Sequence, residues 1–198
     1  MNLKDKKPGK LFVLSGPSGA GKGTICKRLL EETDRLELSV SMTTREPRSG
    51  EAEGISYFFT DKDTFEEHIA CGNLLEHAQV YGNYYGTPKA PVLKRLSEGI
   101  DVILEIDMQG ALKVKENYPD GVFIFILPPS MSELRKRLTG RGTETEEAIE
   151  MRLGETLKEL SYIDRYDYCV VNGVLEEAVA RVKAIVVAEH SKVCLLYT

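Results

Sequence analysis

An α/β architecture, a parallel sheet flanked by helices, is predicted by three features of the 198-residue sequence. Four short runs are apolar throughout rather than alternating, as strands buried on both faces must be. Helical stretches separate them, so strand and helix alternate along much of the chain. A glycine-rich turn, GPSGAGKGT, joins the first such strand to the first helix.

The strands are KLFVL at 10–14, DVILEID at 101–107, VFIFIL at 122–127 and DYCVV at 167–171. Helices are expected at 24–32, 90–98, 109–117, 132–138, about 145–163 and 176–190. Ser130 with Glu133, and Thr143 with Glu146, have the spacing of a capping box, which marks two helix starts. Residues 40–88 read differently: they are polar, rich in glycine and tyrosine, and partly alternating, as in SYFFT and HAQVYGNYYGT. A small, mainly antiparallel insertion is predicted there, with one helix at 63–70 that Gly72 ends from the C′ position. Arg141 stands between glycines in LTGRGTETEE, a candidate mobile segment. With no internal repeat or low-complexity linker, the expected organisation is a core at 8–39, 89–130 and 156–198, an insertion at 40–88 and a lid region at 131–155.

Composition narrows the partners. No apolar run approaches the ~18 residues a membrane span needs, and MNLKDKKPGK has no apolar region behind its basic start; a cytoplasmic protein without a membrane partner is expected. A net charge of −5 argues against a nucleic-acid partner, whose phosphates would call for a basic excess. Cys26, Cys71, Cys169 and Cys194 show no CxxC spacing and accompany only three histidines, so neither a zinc site nor a redox pair is indicated. They are expected to be reduced and mostly buried.

The turn fits G-x-x-x-x-G-K between a strand and a helix, the context that makes it a phosphate-binding loop, or P-loop. Gly16, Pro17, Ser18, Gly19, Ala20, Gly21, Lys22, Gly23 and Thr24 are the candidate residues for binding a nucleoside triphosphate. The glycines let several N–H groups point inward, the helix dipole adds positive potential, and Lys22 brings a charge to the β and γ phosphates. Gly23 stands where a Ser or Thr hydroxyl normally meets Mg²⁺, and the hydroxyl comes one residue later, at Thr24. The metal is therefore expected to be held mainly by water, phosphates and a carboxylate from elsewhere. Asp107, at the end of DVILEID, is the candidate, because ligands of open α/β sheets gather beyond the carboxyl ends of the strands.

A P-loop is common to GTPases, motor ATPases, transporters and small-molecule kinases, so the insertion has to supply the acceptor. Arg45 and Arg48 lie close together in SVSMTTREPRSGE, where two guanidinium groups could clamp one anion. Tyr57, Tyr84 and Tyr85 could hydrogen-bond phosphate while their rings pack a base.

Together GPSGAGKGT, SVSMTTREPRSGE, GNYYGTP, EIDMQGA and GRGTETEEAIEMRL resemble guanylate kinases, in order, from about Lys10 to the last helix. The resemblance implies a P-loop core, a GMP-binding insertion and a lid, and Mg²⁺-dependent transfer of the γ-phosphoryl group of ATP to GMP. It implies that Arg45 and Arg48 hold the GMP phosphate with Tyr57 and Tyr85 as hydroxyl donors, and that Ser41 and Thr87 lie near guanine O6. Glu76 would accept from guanine N1 and N2, helped by Glu105, where many relatives have Asp. Lys22, Arg45, Arg141 and Arg152 would carry the positive charge for transfer, and Asn172 would lie beside adenine.

Three other readings compete: a catalytically silent peptide-binding relative, a kinase of the same fold acting on AMP or a phosphorylated sugar, and a GTPase switch. The first would lack a working loop, the second would lack the Glu76, Tyr85, Thr87 constellation, and the third would carry an N-K-x-D segment. Oligomeric state is left open by the sequence.

Overall fold

The computed structural model describes residues 7–80, 82–140 and 145–193. The chain opens with β1 (Leu11–Ser15), α1 (Lys22–Glu32) and β2 (Leu36–Leu38). It continues through β3 (Met42–Thr43), β4 (Phe58–Phe59), α2 (Lys62–Ala70), β5 (Leu74–Val80) and β6 (Asn83–Pro88). The remainder comprises α3 (Lys89–Ser97), β7 (Asp101–Glu105), α4 (Met108–Asn117), β8 (Val122–Leu127), α5 (Met131–Thr139), α6 (Glu146–Leu160), a 3₁₀ turn (Ile163–Arg165), β9 (Tyr168–Val171) and α7 (Leu175–Ser191).

Five strands, in the order β2-β7-β1-β8-β9, form an all-parallel sheet. The continuous apolar character of β1 follows from its central place. Phe12 and Leu14 face one core with Ile25, Leu29, Val179 and Val182 of α1 and α7. Leu11 and Val13 face the other, with Val92 and Leu96 of α3 and Ala111 and Val114 of α4. Each strand residue therefore buries its side chain whichever way it points, worth about 1.5–3 kcal/mol for a large aliphatic. A third, smaller cluster, Leu134, Leu138 and Ile149, joins α5 to α6.

The short β2, at the sheet edge, is the strand that sequence patterning does not reveal: its three residues carry only one buried side chain, Leu36. The second sheet, β4-β3-β6-β5, is mixed; β3–β6 and β5–β6 are antiparallel and β3–β4 is parallel. In α2, Cys71 is the C-cap and Gly72 follows with φ 67°, as expected for an αL terminus.

Several boundaries differ from expectation. Helix α1 begins at Lys22 rather than at 24 because Gly21, with φ 92°, already supplies the N-cap. Strand β7 ends at Glu105, since Asp107 turns out to cap α4, its side chain accepting from Gly110 N. Ser130 caps α5 as expected, accepting from Glu133 N at 3.1 Å. Thr143 lies outside the described residues, and Thr145 is the N-cap of α6, accepting from Ala148 N. That helix stops at Leu160 rather than at about 163, and a 3₁₀ turn takes up the remainder.

The cysteine expectation also needs correction. Cys26 is buried, but Cys71 and Cys169 are exposed, the first at a helix end and the second on edge strand β9; Cys194 is outside the described residues. No helix among the described residues is long and apolar enough to cross a membrane.

Leu14 is fully buried at the centre of the sheet, so Leu14→Ala is expected to cost about 2–5 kcal/mol, read as a lowered urea midpoint with an unchanged denaturant slope.

Candidate functional site

Parallel pairing brings the ends of β1 and β7 side by side, with Leu14 opposite Glu105. The phosphate loop leaves one end, and the loop leading to Asp107 leaves the other. Gly16, at φ 137°, begins the loop where a Cβ would lie 2.2 Å from the Ile126 carbonyl oxygen. At Gly21 a Cβ would lie 2.3 Å from Asn172 Nδ2. A side chain at either position would collide with its neighbour, and the positive φ adds strain for any L-residue.

Lys22 Nζ donates to the Gly16 carbonyl at 2.5 Å and to the Pro17 carbonyl at 3.1 Å, which places the ammonium over the loop. Arg152 Nη1 donates to Ser18 Oγ at 2.8 Å, bringing α6 onto the loop. Gly19 packs against Leu134 and Leu138 of α5. Thr24 is exposed in the first turn of α1. Arg141 falls outside the described residues.

Asn172 is buried, and its Nδ2 donates to the Ala20 carbonyl at 2.8 Å. Here the side chain tethers the loop. Arg137, which no sequence motif singles out, reinforces this tether by donating to the Asn172 carbonyl at 3.0 Å and approaching the Ala20 carbonyl at 3.5 Å. Its sequence signal is poor, since an arginine four residues after Glu133 on an amphipathic helix looks like an ordinary surface pair.

On the insertion side, Ser41, Tyr57, Thr87 and Glu105 line one cleft of about 150 Å³ together with Leu104 and Ile106. Thr87 donates to Glu76 Oε1 at 2.7 Å, and both residues are buried. Burial pushes the Glu76 carboxyl above its ordinary value of 4.5, opposed by the Thr87 hydrogen bond and assisted by the negative charge of Asp107. Burial likewise raises Glu105, and Lys22 works against it. Gly110 separates Glu76 from Asp107: a Cβ there would stand 3.3 Å from one carboxylate and 3.4 Å from the other. Glu159 of α6 is raised by burial and held down by Lys22, a further carboxyl that the sequence does not mark out.

Arg45 lies over the Tyr57 ring, 5.5 Å from its centroid, and the Tyr57 and Tyr85 rings meet edge to face at 6.1 Å. Arg45 Nη2 makes a two-pronged contact with Glu51, at 2.8 and 2.9 Å, and Arg48 N donates to the same carboxylate at 2.8 Å. These contacts, the Arg45 side-chain bond foremost, hold Glu51 below its ordinary value. Glu51 escapes sequence reasoning because its only signal is its position, three residues after Arg48. Tyr84 turns away from this group, stacking on Phe65 at 5.2 Å.

Among the described residues no cluster of three or more His, Cys, Asp or Glu side chains could enclose a metal. Asp107 nevertheless suits Mg²⁺: its Oδ1 is fixed by Gly110 N at 2.7 Å, and Mg²⁺ commonly takes one or two carboxylates and completes its shell with phosphate oxygens and water. Cys26 is not a candidate nucleophile, because burial, with Glu105 second, pushes its thiol up to about 12.

A guanylate kinase family model matches residues 8–189. The chain belongs to the guanylate kinase family. It is 57% identical over 187 residues to the guanylate kinase of Clostridium acetobutylicum, covering 94% of this chain and 89% of that one. Identity to the guanylate kinase of Clostridium perfringens is 57% over 190 residues, 96% of this chain and 88% of the relative. In three dimensions it resembles the crystal structure of guanylate kinase from Anaplasma phagocytophilum, with a TM-score of 0.73 and 38% identity over 96% of this chain and 90% of that one. Family membership accords with a phosphate loop and a carboxylate-lined cleft at neighbouring strand ends.

Because Glu76 has a raised pKa, its ionisation weighs against the folded state. That cost is absent below about pH 4.5, where the carboxyl is protonated folded or unfolded, and it grows as pH rises through the raised folded value. Glu76→Gln, whose carbonyl can still accept from Thr87, is expected to melt higher than the parent at pH 7–8, the difference shrinking toward pH 4.5; thermal melts across this range check it.

Proposed function

We propose that the protein transfers the γ-phosphoryl group of ATP to GMP, giving ADP and GDP, with Mg²⁺ accompanying ATP, and that it does so in the cytoplasm as part of purine nucleotide recycling. The observation that carries this reading is that Thr87, which donates to the buried Glu76 carboxylate, lines one cleft with Glu105, the carboxylate beside Gly23 of the phosphate loop. Guanine presents N1–H and the N2 amino group side by side, which two carboxylate oxygens can accept together; adenine offers an acceptor at N1. A buried carboxylate without that partner is costly, so AMP should be rejected by orders of magnitude. Glu105 and Ser41, lining the same cleft, complete the proposed guanine contacts.

The acceptor phosphate is assigned to Arg45, Arg48, Tyr57 and Tyr85. The Arg45 pair with Glu51 presents the guanidinium in a fixed orientation, ready to exchange one anion for another. The ATP phosphates are assigned to the N–H groups of Gly16–Thr24 and to Lys22, with Asn172 and Arg137 holding the loop from behind. Asp107 would hold Mg²⁺, directly or through water, with Thr24 of α1 as the second candidate. That ion would supply positive charge to offset the charge of the transferring group.

In this scheme an oxygen of the GMP phosphate attacks the γ-phosphorus as the bond to the ADP oxygen breaks. The nucleophile is already an anion, so no general base is required. The work of the protein is alignment and charge stabilisation, for which Lys22, Arg45, Arg152 and Arg141 are proposed. The Arg152–Ser18 contact supports this role for Arg152, and the proposed lid region, 131–155, would close on the nucleotide.

Purified protein with Mg²⁺ and ATP, offered GMP, AMP, CMP or UMP in turn, is expected to form ADP rapidly with GMP alone. Comparable turnover with another acceptor would contradict the base assignment. Lys22→Ala and Arg45→Ala are each expected to lower kcat by about a hundredfold or more, while Glu76→Ala acts mainly on GMP binding and base choice. Equal loss of AMP and GMP use in the last variant would contradict its role.

A further inference from the structure

We propose that Gly23, although part of the phosphate loop, is a specificity-determining residue of the acceptor site, because the side chain it lacks would crowd the Glu105 carboxylate. This deepens, and rests on, the acceptor reading above. An ideal Cβ at Gly23 would lie 3.2 Å from Glu105 Oε1 and 3.4 Å from Oε2. Nothing about the backbone calls for glycine there. Gly23 is the second residue of α1, and it is not among the glycines with positive φ. Alanine would favour the helix more than glycine does.

What the position does require is room on the side facing β7. Glu105 is the last residue of that strand and lines the same cleft as Ser41, Tyr57 and Thr87. Glu105 therefore lies between the first turn of α1 and the proposed guanine site. A methyl group at position 23 would push the carboxylate toward the cleft by a few tenths of an ångström, enough to degrade a hydrogen bond that depends on both distance and angle. A serine there would add a hydroxyl able to donate to Glu105, taking up an acceptor that guanine needs. The glycine at the usual Ser/Thr position of the loop thus has a physical reason on the acceptor side.

Steady-state kinetics with GMP and ATP varied separately decide the matter. Gly23→Ala is expected to raise KM for GMP about fivefold or more, the effect of one crowded methyl group, with a much smaller rise in KM for ATP. Thermal stability should not fall, since the substitution suits the helix. In a Glu105→Asp background, whose side chain is one methylene shorter, adding Gly23→Ala is expected to change KM for GMP by less than about twofold. An unchanged GMP KM in Gly23→Ala overturns the proposal, as does a larger effect on ATP than on GMP, or a GMP effect that persists undiminished with Glu105→Asp. Absence of GMP turnover in the unsubstituted protein would remove the acceptor reading and this inference together; normal turnover there with any of the preceding results removes the inference alone.

Discussion

Parallel pairing of β1 with β7 and β8 is the constraint on which the rest of the molecule depends. Parallel strands in register end on the same side of the sheet, so the segments leaving their carboxyl ends are brought together without further design. The phosphate loop leaves β1, the Glu105–Asp107 segment closes β7, and Asn172 stands just past β9. The energetic support for that register comes from the two apolar faces of β1, which interlock with α1 and α7 on one side and α3 and α4 on the other. Moving β1 by one residue would exchange those faces and displace the loop from the carboxylates it has to meet.

The same arrangement concentrates groups that do not favour folding. Glu76, Glu105 and Glu159 all have carboxyls raised by burial, and the charge of Lys22 offsets this in Glu105 and Glu159. Such sites are stable only because the surrounding core is large, and pKa values displaced by burial are a common mark of functional clefts. Glycines accommodate the crowding: Gly23 leaves space beside Glu105, and Gly110 leaves space between Glu76 and Asp107. Under the proposed function, both are positions where a donor element and an acceptor element share a van der Waals boundary.

Much of this is legible in the sequence, and for identifiable reasons. Strands buried on both faces leave continuous apolar runs, so β1, β7 and β8 stand out; β9 carries such a run too, but at the sheet edge only Val170 of its four residues is buried, which corrects the expectation of burial on both faces, and β2 buries one side chain in three and leaves no pattern. The loop is readable because its glycines and lysine have fixed spacing. Glu76 and Thr87 are paired only through the family resemblance; eleven residues separate them in the chain, and the antiparallel β5–β6 pairing that joins them is not encoded in spacing. Arg137, Glu51 and Gly110 escape notice because each acts through a neighbour brought close by folding. Thr145 caps α6, within two residues of the start that the Thr143–Glu146 spacing marks.

The central claim is that the P-loop and the Glu76 cleft are two halves of one continuous site. A single molecule in which adenosine and guanosine are joined 5′ to 5′ through five phosphates tests it most directly, by calorimetric titration against the matching diadenosine compound. The account predicts that the mixed compound binds far more tightly than ATP or GMP alone, and that Lys22→Ala and Glu76→Ala each weaken it. Binding no tighter than ATP alone, or equal binding of the diadenosine compound, would contradict it.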